Sequence, residues 1–177
     1  MAALPAAAQS WIGAGPDDNW TTGANWSGGV PPASSPVTQV LFSAGNPRTT
    51  PVVDAPWTIN QLNFGAGTYS FSGQTITFAG ANATIGNSSG LLQVTISNPL
   101  TLAAPTTISG NNIFFTLSGP ISGPGSLTVP NLGGVLLTGT STFTGDLNQT
   151  SRTSACAWTM PRFPASRDIW RPYAARS

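Results

Sequence analysis

The sequence contains no histidine, no lysine and no glutamate, and charged residues make up only 6% of it. Each absence removes a class of chemistry. Without these residues there is no Ser-His-Asp arrangement and no zinc site. A hydrolase of polysaccharides would have to take its carboxylate pair from Asp17, Asp18, Asp54 and Asp146, which lie far apart along the chain except for the first two. No stretch approaches the roughly 18 consecutive apolar residues of a membrane-spanning helix. Cysteine is absent up to residue 155, which is neutral about redox compartment, because a large β architecture needs no disulfide staple. The net charge of +1 conceals an asymmetry, since residues 1–150 hold those four aspartates against Arg48 alone. The body is mildly acidic and lacks the basic footprint of a nucleic-acid binder.

Ser, Thr, Asn, Gln and Gly take over the surface role that charge usually fills. With 40% hydrophobic residues in 177, the chain can bury one core. From Val37 onward, apolar and β-branched residues alternate with polar ones over short runs: "TQVLFS", "INQLNF", "TYSFSG", "QTITFA", "LLQVTIS", "PLTLAA", "IFFTLSG", "GSLTVPN" and "GVLLTG". Each run is bounded by Gly, Pro or Asn, which break strands and supply turns. Helical periodicity is absent, and 20 glycines and 16 prolines would not sustain it. The pattern predicts an all-β protein.

A repeat decides between all-β architectures. "FSGQTI", "ISNPL", "LSGPI" and "LTGTSTF" each place an apolar residue before Ser or Thr, then Gly or Asn, then a second strand. The leading residues Phe71, Ile96, Leu117 and Leu137 lie 25, 21 and 20 positions apart. A period in the low twenties predicts a solenoid of stacked coils, against the hairpin spacing of a β-sandwich. Ser72, Ser97, Ser118 and Thr138 would then form a ladder at one corner. Gly73, Asn98, Gly119 and Gly139 would stand beside it, as residues that tolerate a left-handed backbone.

The segment "SWIGAGPDDNWTTGANWSGGVPPASSPVTQVLFSAG" resembles the opening of bacterial autotransporter passengers. "TLSGPISGPGSLTV" followed by "VLLTGTSTFTGDL" is similar to the passenger-associated β-strand repeat of that family. The resemblance covers roughly residues 10 to 150. It implies a right-handed parallel β-helix with an N-terminal cap and about four to five coils. It also implies export through the periplasm to the cell surface, with an outer-membrane β-barrel in the intact protein. No cofactor is expected.

The ends of the chain read differently. "MAALPAAAQS" ends in an Ala-x-Ala pattern before polar sequence, as the last part of a secretory signal peptide does. The expected organisation is therefore a signal remnant over 1–10, a Trp/Gly-rich cap over 11–36, repeats over 37–150 and an aberrant tail over 151–177. That tail holds five of the six basic residues, Cys156, Trp158 and Trp170. Codons able to encode "CAWTMPRFPA", read two bases further on, permit Arg-Val-Asp-Asn-Ala-Ala-Leu-Pro-Gly, close to how the resembled repeat continues. A disordered tail translated out of frame from about Arg152 is the expectation, and a native basic appendage toward a membrane or anionic partner is the alternative.

Trp11, Trp20 and Trp26 admit two readings. Together with Asp17, Asp18, Asn19 and Asn25 they would make a sugar-binding platform for a surface glycan or host-surface ligand. Alternatively they cap the hydrophobic cross-section of a first coil that has no neighbour, the reading preferred here. Trp57 reads as an inward rung residue, Asp54 with Arg48 as a surface pair, and Asp17–Asp18 as a solvated turn in preference to a Ca²⁺ loop. The Asn-x-Ser/Thr sequences at Asn25, Asn82, Asn87 and Asn148 arise by chance in so Asn-, Ser- and Thr-rich a chain. The function expected is a non-enzymatic, secreted, adhesin-like stalk, with a carbohydrate-binding module as the alternative.

Overall fold

The computed structural model describes residues 8–87, 92–110, 113–129 and 134–149. The tail, its cysteine and the first seven residues lie outside them. β1 (Gln9–Trp11) opens the fold. A first turn follows from β2 (Gln39–Phe42), β3 (Val52–Val53) and β4 (Trp57–Ile59). The second turn is β5 (Gln61–Phe64), β6 (Gly67–Gly73) and β7 (Ile76–Phe78). The third is β8 (Ala83–Asn87), β9 (Leu92–Ile96) and β10 (Leu100–Leu102). β11 (Thr106–Ser109), β12 (Ile113–Leu117) and β13 (Ile121–Ser122) make the fourth. A fifth turn contains β14 (Leu127–Val129), β15 (Gly134–Leu137) and a bridge at Ser141, and β16 (Leu147–Gln149) begins the next.

Every strand pairs in parallel with its equivalent one turn away, which builds three sheets along one axis. The first sheet runs β1-β2-β5-β8-β11-β14-β16, the second β3-β6-β9-β12-β15 and the third β4-β7-β10-β13. The chain is a parallel β-helix with four complete three-stranded turns. One 3₁₀ turn, Gly23–Asn25, is the only helical element among the described residues.

Strand pleating sends alternate residues inward, so stacking identical turns aligns like with like. Val40, Leu62, Ile85 and Ile108 form one buried column in the first sheet. Trp57, Ile76, Leu100 and Ile121 form another in the third, which places Trp57 inside as a rung residue. In the second, Phe71 faces Ile96, Ile96 faces Leu117, and Leu117 faces Leu137, the same four residues that define the sequence repeat.

Two details differ from the sequence reading. Gln9 and Ser10, placed in a signal remnant, are paired to Val40 and Leu41 in β1. Strands β3, β8, β11, β13 and β16 fall outside the runs singled out in the sequence, and each pairs in parallel with a strand of the adjacent turn.

Candidate functional site

The candidate site is the N-terminal end of the helix, where residues 11–54 meet. An open β-helix end leaves one unpaired strand edge on each sheet. Here each edge is met. β1 lies on β2, and its own outer edge is closed by Ser27 N–H donating to Ser10 O at 2.8 Å and Ile12 N–H to Asn25 O at 2.8 Å. Trp20 N–H donates to Val52 O at 2.9 Å and Val52 N–H to Asp18 O at 2.8 Å, which covers β3. Ser35 N–H donates to Thr58 O, and Thr58 N–H to Ser34 Oγ, both at 2.8 Å, which covers β4. The segment therefore makes one irregular extra turn.

Inside that turn, Trp11, Trp20 and Trp26 are each 0% exposed. Trp26 packs edge-on against Trp11 and Trp20, with ring centroids 5.1 and 5.6 Å away. Trp11 stacks on Phe42 at 5.5 Å, and Phe42 on Phe64 at 5.8 Å, so the aromatic column continues into the regular core. The Trp11 indole donates to Arg48 O at 3.1 Å and the Trp26 indole to Trp20 O at 2.6 Å. No indole face reaches solvent, and a saccharide ring has nothing to stack on there.

Asn25, also 0% exposed, organises the polar loop above the rings. Its Oδ1 accepts from Gly15 N–H at 2.8 Å, and its Nδ2 donates to Asp17 O at 2.9 Å and Asn19 O at 3.0 Å. Asp17 accepts from Asn19 N–H at 3.1 Å. Hydrogen bonding from the Thr22 side chain and then the Asn19 backbone holds the Asp17 carboxyl below its ordinary value. The expected Asp54–Arg48 pair is not formed. Arg48 reaches Asp18 instead, with Nη1 2.9 Å from Oδ1, and its Nε donates to Gly15 O at 3.0 Å. Thr50 completes Asp18 at 2.8 Å, while Asp54 accepts from the Thr21 N–H at 3.0 Å and from its hydroxyl. These carboxylates tie loop to solenoid. Among the described residues, no three His, Cys, Asp or Glu come together as metal ligands do.

The corner ladder joins the second and third sheets. Ser97, Ser118 and Thr138 N–H donate to Phe71, Ile96 and Leu117 O at 3.0, 2.9 and 3.0 Å. The reason for glycine beside it differs from the expectation. Only Gly73 has a left-handed backbone, at φ 107°. At Gly119 and Gly139 an added Cβ would lie 2.0 and 1.9 Å from the carbonyl oxygens of Asn98 and Gly119. Close stacking of corners, not backbone handedness, requires the missing side chain there. Asn98 is buried and donates through Nδ2 to Gln74 O at 2.8 Å.

Sequence reasoning missed one exposed aromatic. Phe114 is 50% exposed on the outer face of the second sheet. Its signal was the paired "FF" at 114–115, in which alternation allows only one ring inside. No protein-family model, curated protein or solved structure matches this chain.

Proposed function

We propose that the chain is a non-enzymatic stalk displayed at a bacterial cell surface, the N-terminal part of an adhesin-like, autotransporter-type passenger whose translocating barrel belongs to the intact protein. The observation that carries this reading is the polarity of the solenoid. One end is closed on all three sheets by residues 10–58, and from there turn after turn adds length in register. Such an object is a spacer, because each turn contacts only its neighbours and length is set by the number of turns. The strand positions hold Ser, Thr, Asn, Gln and apolar residues and no charged side chain, which suits a chain that crosses a membrane unfolded and gains stability afterwards by stacking. The passenger motifs quoted from the sequence support the export part of the reading. The carbohydrate-module alternative built on Trp11, Trp20 and Trp26 has no support in the geometry, because those rings are interior.

Two experiments test it. A second copy of residues 100–120 inserted after Pro120 preserves the Leu100–Ile121 register. It should lengthen the particle in solution scattering by about 4.8 Å per copy without loss of cooperativity. Aggregation of every such insertion would defeat the stalk reading. Separately, the chain is fused between a secretory signal and an outer-membrane barrel translocator. Protease accessibility on intact cells is expected, and retention in the periplasm would defeat the passenger reading.

A further inference from the structure

The outward positions of the second sheet form columns along the helix axis. Thr68, Gln93, Phe114 and Gly134 succeed one another in register, and beside them run Ser70, Thr95, Thr116 and Leu136. Among the residues whose burial is described, Phe114 is the one exposed large apolar residue on a strand, as Ile12 and Val30 lie outside strands. Its ring lies across Gly134, where an added Cβ would sit 3.2 Å from Cδ1 and 3.5 Å from Cε1. A glycine inside a strand weakens it and leaves room for close approach, and here the room is taken by an aromatic ring on the solvent side. Ser97 and Ser118 turn their hydroxyls back onto the carbonyls of Phe71 and Ile96, but Gln93, Thr95 and Thr116 make no side-chain hydrogen bond within the described residues.

We propose that this face binds a neutral polysaccharide, with one sugar ring stacked on Phe114 and its hydroxyls hydrogen-bonded by Gln93, Thr95 and Thr116. The chemistry selects the ligand. A saccharide presents an apolar C–H face and a hydroxyl rim, which match an aromatic ring set among amide and hydroxyl groups that both donate and accept. A charge-free face gives no attraction to nucleic acid or acidic glycans. An added peptide strand is excluded because this is a sheet face, whose backbone groups are already paired to β9 and β15. The inference is independent of the stalk reading, which stands whether or not the stalk binds sugar.

The test is affinity electrophoresis of the full chain in native gels containing hydroxyethylcellulose, glucomannan, laminarin or, as the anionic control, polygalacturonate. Retardation by at least one neutral polymer is expected. Phe114→Ala should weaken it on the order of tenfold, the loss of one stacked ring, and Phe114→Trp should preserve it. Because Phe114 is half-exposed and its ring rests on Gly134, Phe114→Ala should lower the urea midpoint only slightly and retain the fold. Thr116→Lys, which leaves the ring in place and crowds the hydrogen-bonding side, should also weaken retardation. No retardation by any neutral polymer overturns the proposal. So does retardation unchanged in both Phe114→Ala and Thr116→Lys, or retardation by polygalacturonate alone.

Discussion

The Trp26 indole donates its N–H to the carbonyl oxygen of Trp20 at 2.6 Å, while the Trp20 indole, packed edge-on against it, finds no partner for its own N–H among the described residues. Two buried tryptophans in contact therefore differ in what phenylalanine would take from them. Trp26→Phe leaves a buried carbonyl unpaired and should cost about 2–3 kcal/mol, whereas Trp20→Phe removes an unsatisfied donor and should cost at least about 1 kcal/mol less. Urea unfolding followed by circular dichroism measures both. Equal losses would show that ring volume, not the hydrogen bond, sets the stability of this end.

Glycine at the corner gives a second contrast. Gly119→Ala and Gly139→Ala drive a methyl group into a backbone carbonyl of the adjacent turn and should cost about 3 kcal/mol or more or abolish folding. Gly28→Ala should cost only about 1 kcal/mol, because its added Cβ meets nothing within 4 Å and only the positive φ of 88° opposes it. If Gly28→Ala were the more damaging, backbone handedness rather than stacking distance would be the governing constraint.

Asn25 is the polar keystone of the cap, since one buried side chain satisfies Gly15, Asp17 and Asn19. Asn25→Ala should lower stability by about 2–4 kcal/mol. Asn25→Asp should do more harm at neutral pH, by setting a buried negative charge against two carbonyl oxygens. Acid should partly rescue Asn25→Asp, and a variant insensitive to pH would remove the buried-charge account.

The pH dependence has two limbs of opposite origin. Asp17 has a folded pKa below its ordinary 3.8, so its stabilisation is present above that value and disappears as pH falls through the folded pKa. Tyr69 is raised above 10.0 by burial, so its contribution is complete below 10.0 and is lost as pH rises through the folded pKa. Urea midpoints measured across pH should show both limbs. Asp17→Asn should flatten the acid limb and Tyr69→Phe the alkaline one, and limbs unchanged in these variants would assign them to other groups.

Arg48 and Asp18 form an ion pair with side chains 31% and 28% exposed. A double-mutant cycle between Arg48→Gln and Asp18→Asn should give a coupling under about 1 kcal/mol that weakens with salt. The same cycle between Arg48 and Asp54 should give none, because Asp54 is bonded to Thr21. A larger Asp54 coupling would restore the pairing suggested by sequence proximity.

Much of this fold is legible without coordinates. The alignment of Phe71, Ile96, Leu117 and Leu137 by their shared Ser/Thr-Gly/Asn turn is the register observed in the second sheet. The sequence could specify this because in a parallel solenoid each turn is stabilised by its copy. Repetition along the chain therefore becomes adjacency in space. Composition likewise determined that surface polarity would come from hydroxyls and amides in place of charge.

Tertiary structure decided what depends on meetings between unlike segments. Arg48 chose Asp18 over Asp54 because the cap loop folds back across β3, a path that no repeat encodes. Gly119 and Gly139 are glycines because neighbouring corners approach within a methyl group's width, a distance that exists only once turns stack. Trp11, Trp20, Trp26 and Trp57 point inward, and Phe114 outward, for one physical reason. A strand assigns its residues to alternate faces, but only the packed stack determines which face is wet.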